Sequence, residues 1–280
     1  MPKKKIFIKK MNFLLEAFRN ALSGDEFYTK YGDIQKELSN YDFSNMIVYC
    51  NCDKPDSSNF VKYFKNNFTA LGIRKLMATF NGTKPFLYEF DGISEKNTSI
   101  ASGRFQDNID LVKQCDIVVT NPPFSNGQAL EMINLLIPSG KKFIIVAPFS
   151  LCGRKIIIDY IKEGLLFIGN NNIRRFDAED GKTISSPTCW WTNIPVNHEP
   201  ILLTAKYNKQ NYPMYDNFNA IECSNYKLIP SDYKGNIGVP ITFLSKFNQK
   251  QFEILGILYH PTIKGKNIMS RIIIKLKTHI

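Results

Sequence analysis

CDIVVTNPPFS, Cys115 to Ser125, decides the fold. Ile117, Val118 and Val119 form the short apolar run of a strand buried on both faces of a parallel sheet. The run stops at Asn121-Pro122-Pro123-Phe124. Two consecutive prolines have no N–H to offer a ladder, so the strand ends there in a stiff turn. In an open α/β sheet such a turn lies at the carboxyl edge, where ligands bind. The side-chain amide of Asn121 and the carbonyl of Pro122 are then fixed acceptors at that edge.

Those acceptors suit one kind of chemistry. An exocyclic amino nitrogen of a nucleobase is a poor nucleophile, because its lone pair is delocalised into the ring. Two neutral acceptors, one for each N–H, favour the pyramidal nitrogen whose lone pair attacks, and no base of tuned pKa is required. The Phe124 ring can lie on a base taken out of the stack. Catalysis is then positioning and electrostatics more than proton transfer. The candidate catalytic residues are Asn121, Pro122, Pro123 and Phe124, with Phe124 also touching the substrate. The motif resembles the (Asn/Asp/Ser)-Pro-Pro-(Phe/Tyr/Trp) signature of amino-methyltransferases that use S-adenosylmethionine. A bare structural corner is the other reading, and average composition produces the pattern by chance in about one chain of this length in a hundred.

Outward from the turn, strands and helices alternate. MIVYCNC (46–52) and KLMATF (75–80) read as strands around the amphipathic helix NFVKYFKNNFTALG (59–72). Its apolar stripe is Phe60, Val61, Phe64, Phe68 and Leu71; Ser57 or Ser58 caps it and Gly72 ends it. A helix is expected from Ser125 to Ile137, a strand over KFIIVA (142–147), a helix over 154–164, and strands over 165–169 and 201–207. The alternation predicts an α/β, doubly wound, mostly parallel sheet. Residues 170–187, Asn-rich and charged, are expected to be a long loop. Within it Arg174 and Arg175 are candidate substrate contacts, through phosphate, or else solvated.

Of 280 residues 44% are hydrophobic, enough for a full core, and the net charge of +11 favours a polyanionic partner. No 18-residue apolar run exists, so no membrane span is expected. MPKKKIFIKK lacks the apolar core of a secretory signal and reads as a solvated or phosphate-contacting arm, followed by a helix over residues 11–22. Six scattered cysteines and three histidines form no metal-ligand spacing, so no metal is expected; reduced thiols imply a cytoplasmic protein.

The segment from Ile47 to Leu76, with its Gly-poor Cys52-Asp53-Lys54-Pro55 and Ser58-Asn59-Phe60, resembles the EcoRI-type adenine methyltransferases. So do Cys189-Trp190-Trp191-Thr192-Asn193 and Gly238-Val239-Pro240-Ile241-Thr242-Phe243-Leu244, and the likeness covers residues 25–275. It implies a Rossmann-like class I methyltransferase fold. It implies S-adenosylmethionine bound by Tyr28 and Thr29, from an aromatic-Thr motif with Lys30 where Pro is common. Asn51, Cys52, Asp53 and Pro55 would form the cofactor turn. Where the family carries Gly-Asp-Phe, this chain has Gly103-Arg104-Phe105, with Asp107 or Asp110 as substitutes for the missing acid. Trp190 or Trp191 either walls the base opposite Phe124 or belongs to the core.

The implied organisation is a basic arm and helix (1–24), a catalytic domain (25–207) and a small C-terminal segment (208–280) for target recognition, or else a structural flap completing the core, with alternating Ile and Lys over 271–278 as an edge or closing strand. The implied activity is methylation of adenine N6 in duplex DNA, in a restriction–modification or host or phage modification role. A cognate restriction endonuclease would act separately. One chain holds every part the reaction needs, which implies a monomer. Methylation of RNA or of a protein glutamine, and a DNA-binding protein that has lost activity, are the alternatives.

Overall fold

The computed structural model describes residues 27–124, 127–178 and 182–277. The arm and helix expected over residues 1–24 lie outside them. In chain order the first elements are β1 (Phe27–Thr29), α1 (Tyr31–Leu38), β2 (Ile47–Asn51), α2 (Asn59–Asn66), α3 (Phe68–Leu71) and β3 (Lys75–Phe80). Next come β4 (Phe86–Phe90), β5 (Glu95–Ser99), α4 (Ile109–Gln114), β6 (Ile117–Thr120), α5 (Gln128–Ser139), β7 (Lys142–Pro148) and α6 (Lys155–Lys162). Then follow β8 (Phe167–Ala178), β9 (Thr183–Thr192), β10 (Ile221–Glu222), β11 (Ile237–Pro240), β12 (Phe252–Leu258), β13 (Thr262–Ile263), β14 (Lys266–Asn267) and β15 (Arg271–Leu276).

The chain forms two compact units. Among the described residues the first draws on 27–35, 42–124, 127–135, 173–178 and 182–186, the second on 36–41, 136–172 and 187–277. In the first, β2 is flanked by β6 and β3, both parallel to it, with Tyr49 opposite Val118 and Met77. The middles of these strands are apolar, as in a parallel sheet covered on both faces, and polar Asn51, Thr79 and Thr120 come only towards their carboxyl ends. Val48, Tyr49, Cys50, Leu76, Ile117, Val118 and Val119 are fully buried. Antiparallel β4 and β5 extend the sheet beyond β3. All five residues of β5 are exposed and it is written in Glu, Lys, Asn, Thr and Ser, which protects an edge from further pairing.

Helix α2 starts where Ser58 accepts the N–H groups of Phe60 and Val61, and it buries Phe60, Val61, Tyr63 and Phe64. One continuous helix was expected to Gly72; the helix breaks at Asn67, whose side-chain amide donates to the Tyr63 carbonyl at 2.8 Å, sharing it with the Asn67 backbone N–H. A short α3 follows, and Gly72 ends it in the left-handed region (φ 62°). The helix after the Asn-Pro-Pro-Phe turn runs over Gln128–Ser139; Ser125 itself lies outside the described residues.

Three expectations are corrected. Residues 170–187 are mostly strand, the ends of β8 and β9, and not a loop. β8 is held by pairing, not by propensity. In the first unit it runs antiparallel to β1, with Thr29 opposite Phe176. In the second the buried Glu37 carboxylate accepts the N–H groups of Asn170 and Asn171 at 2.9 and 2.8 Å. Residues 201–207 form no strand. Instead of a ladder, the Gln251 side chain bonds both the N–H and the carbonyl of Ile201, and the Ser231 N–H donates to the Ala205 carbonyl. The basic C-terminal strand β15 lies between β11 and β12, not at an edge, and Arg271 to Ile274 are buried.

In the second unit β7 pairs antiparallel with β9, Ile145 opposite Trp191. The C-terminal sheet has the order β10-β11-β15-β12. Inside it Arg271 forms a buried bidentate pair with Glu222, which also accepts the Tyr215 hydroxyl. Three polar groups share one satisfied network, which is what burial of a charge requires.

Candidate active site

A cleft of about 550 Å³ opens in the first unit at the carboxyl ends of the three parallel strands. Cys52 and Asp53 follow β2, Asn81 follows β3, and Asn121, Pro122, Pro123 and Phe124 follow β6; all line it. Tyr28 and Thr29 of β1 line it too, as do Ser58, Asn59 and Phe60 at the start of α2. The parallel sheet thus brings three strand ends to one mouth, and β1 adds a wall.

The turn after β2 is built without glycine. Cys52 takes the left-handed conformation (φ 61°) that glycine usually supplies, and its thiol donates to Asn51 Oδ1 at 2.9 Å. Burial and the Asp53 carboxylate push that thiol up to about 12, so it stays protonated. Asp53 is clamped: Ser58 Oγ donates to one carboxylate oxygen at 2.6 Å and Thr120 Oγ1 to the other at 2.9 Å. The Asp53 N–H reaches the Thr79 carbonyl at 3.1 Å. Asn51 faces inward, fully buried, and its amide donates to Tyr49, Thr79 and the Gly103 carbonyl. Neither Asn51 nor the half-buried Pro55 lines the cleft.

Gly103 packs so tightly against the end of β3 that a Cβ would meet the Phe80 carbonyl oxygen at 2.4 Å. Only glycine fits there. Phe105 is buried, while Arg104 between them is exposed and lines the cleft. Asp107 also lines it, accepting from Ser102 Oγ at 2.6 Å. Asp110 does not; it pairs with Lys113 on the outside. Of the two candidate acids near Arg104, only Asp107 reaches the cleft.

The other candidates lie elsewhere. Arg174 and Arg175 are exposed on β8 and do not line the cleft. Trp190 and Trp191 are fully buried in β9, within the second unit. Motif reading gave no role to several residues that the fold brings in. Phe176 of β8 meets the Phe124 ring edge-on, centroids 5.5 Å apart at 81°, and so sets its attitude. Asn59 Nδ2 holds the Thr29 carbonyl at 2.8 Å. Asn81 accepts the Gly103 N–H at 3.1 Å. Position directly after a buried strand was the one sequence signal for Asn81; Phe176 carried none.

A model of the family described as "Adenine-specific methyltransferase EcoRI" matches residues 16–102 and 96–279. The chain belongs to the EcoRI-type adenine-specific methyltransferase family. The Type II methyltransferase M.EcoRI of Escherichia coli is 39% identical over 320 residues, covering 95% of this chain and 97% of that protein. M.MpnI of Mycoplasma pneumoniae is 33% identical, covering 91% and 96%. M.MgeORF184P of Mycoplasma genitalium is 32% identical, covering 90% and 89%. No solved structure matches. Membership accounts for the architecture: this is the Rossmann-like, class I methyltransferase fold, and the cleft lies at the carboxyl ends of its parallel strands.

S-adenosylmethionine is the methyl donor that family membership implies, and the cleft fits it. The Thr29 hydroxyl is buried with no hydrogen-bond partner among the described residues, although the residue lines the cleft. A buried polar atom without a partner costs on the order of 1–3 kcal/mol, which a bound acceptor would offset.

Proposed function

We propose that this family member is a DNA methyltransferase that moves a methyl group from S-adenosylmethionine to the N6 amino group of an adenine flipped out of duplex DNA. The observation that carries the reading is that Asn121-Pro122-Pro123-Phe124 and Tyr28, Thr29, Cys52 and Asp53 line one cleft. A donor site and an amine-acceptor site must adjoin for a methyl group to pass directly between them.

The residues divide by task. Tyr28, Thr29, Cys52 and Asp53 would hold the cofactor, the Thr29 hydroxyl receiving its carboxylate. Bound there, S-adenosylmethionine supplies an electrophilic methyl on sulfur. The Asn121 amide oxygen and the Pro122 carbonyl each accept one N–H of the adenine amino group, which frees its lone pair. Pro123 keeps the turn stiff, and Phe124, steadied by Phe176, lies on the base. Asn51 and Pro55 shape the turn from behind. Asp107 takes the part of the acid that Arg104 replaces. Trp190 and Trp191 serve the core, so the second wall of the base pocket is given to neither. Arg174 and Arg175 are exposed and suit phosphate.

The names of the relatives support a role in a Type II modification system, and the net charge of +11 agrees with a DNA partner. The protein would act as a monomer in the cytoplasm, independently of any nuclease, with residues 208–280 contributing target recognition. No helix among the described residues is long and apolar enough to cross a membrane.

Incubation with labelled S-adenosylmethionine and unmethylated genomic DNA tests the reading. Label on adenine N6 within one short sequence supports it. Label on RNA or on a glutamine side chain, or none at all, overturns it. Asn121→Ala should lower the single-turnover rate by at least about a hundredfold, as loss of one preorganised hydrogen-bonding group does. Cofactor binding should survive, and a near-normal rate in that variant removes Asn121 from the mechanism.

A further inference from the structure

The second unit carries a hairpin that the reaction chemistry does not use. Strands β13 and β14 pair antiparallel, Ile263 opposite Lys266, and a two-residue turn of Lys264 and Gly265 joins them. Both turn residues have positive φ, 50° and 70°. Two-residue hairpins favour that geometry, but they place Asn, Asp or Gly at the first position. Here a lysine occupies it, against its backbone preference. The cost is met by Asp216, whose two carboxylate oxygens accept the N–H groups of Lys264 and Gly265 at 3.1 and 2.8 Å. Further bonds link Asp216 N–H to the Thr262 carbonyl, Asn217 to Thr262 and His260, and Ile268 to Pro261. Ile263 and Ile268 pack on the cluster of Tyr215, Ala220 and Ile273.

The hairpin is therefore a stiff arm with one side anchored. Its other side shows Lys264, Lys266 and Asn267, and Met269 just after it is 80% exposed. Neither lysine makes an ion pair among the described residues. From Ile254 to Ile280 the sequence has Lys264, Lys266, Arg271, Lys275 and Lys277 and no acidic residue. A rigid two-stranded ribbon with unpaired cations matches the dimensions and charge of a DNA groove.

We propose that the β13–β14 hairpin docks on duplex DNA with Lys264 and Lys266 against phosphates. This rests on the DNA-methylation reading above and names the surface that receives the duplex.

The test is DNA binding by fluorescence anisotropy with a methylatable duplex between about 0.1 and 0.3 M salt. Each lysine on a phosphate contributes about 0.9 to the slope of log K against log salt. For Lys264→Ala/Lys266→Ala the expected result is a slope shallower by about 1.8 and an affinity lower on the order of tenfold at 0.1 M salt. Cofactor binding should be unchanged. Lys227→Ala/Lys234→Ala removes equal charge from exposed positions elsewhere in the unit and should move the slope much less. Wild-type slope in the hairpin variant, or an equal change in both pairs, overturns the proposal. If the wild-type protein itself binds and methylates no DNA, the functional reading fails first, and that outcome is visible before any variant is made.

Discussion

Cys52 shows how one residue replaces a motif. Nucleotide-binding turns after the first strand of an α/β fold ordinarily use glycine, because the chain must turn with positive φ. This turn does the same with a cysteine at φ 61°. A side chain with a single unbranched Cβ substituent tolerates that conformation at a cost of about 1–2 kcal/mol, and a β-branched one tolerates it less. The thiol recovers part of the cost through its hydrogen bond to Asn51. Cys52→Gly should therefore stay within about 1 kcal/mol of wild type, with relief of strain balancing the lost thiol bond. Cys52→Val should lose about 2 kcal/mol and weaken cofactor binding. Urea denaturation of the pair checks this: equal midpoints for the two variants would mean that the turn is not strained at Cys52.

At the scale of elements, the start of α2 joins folding to the site. Ser58 accepts two N–H groups of the helix and donates to Asp53 with the same hydroxyl. Ser58→Ala should cost about 1 kcal/mol through the lost cap and should also raise the dissociation constant for S-adenosylmethionine, because Asp53 loses one of its two clamps. Ser58→Thr keeps both bonds and should restore cofactor affinity. Stability lost without any change in affinity would reduce Ser58 to a cap. The elements that could be read from sequence are those whose own residues carry the signal. β2, β3, β6 and β7 are runs of buried apolar residues, and the Asn-Pro-Pro-Phe turn is stiff by its own covalent structure. The part of β8 beyond Gly169 was missed because Asn170, Asn171 and Arg174 carry no strand preference. Their strand geometry comes from Glu37 and β1, distant in the chain. Residues 201–207 misled for the opposite reason, since alternating apolar residues imitate a strand whose backbone in fact bonds to Gln251 and Ser231. The same division holds at the cleft: Asn121, Asp53 and Asn59 come with motifs, whereas Phe176 matters only through the partner the fold gives it.

The stability of the whole molecule should depend on pH through His198. Its ring Nε2 lies 3.1 Å from the Ile168 carbonyl. A carbonyl only accepts, so the neutral ring carries its proton on Nε2. Burial lowers the His198 pKa from its ordinary value near 6.5, and Lys246 nearby acts in the same direction, against the Ile168 bond. The unfolded chain then takes up a proton at a higher pH than the folded one does. Between the ordinary value and the lowered one the unfolded state binds more protons, so stability rises with pH across that window and is lost as pH falls through it. Melting temperature should hold steady from about pH 8 to 7 and decline below about 6.5, where the unfolded histidine begins to charge. His198→Gln keeps a donor for Ile168 and removes the titration, so its melting curve should be flatter over the same range. Asn248 Nδ2 bonds the His198 backbone carbonyl, a contact the substitution leaves in place. A variant whose stability falls with acid as steeply as wild type would assign the dependence to other groups and leave His198 a packing residue alone.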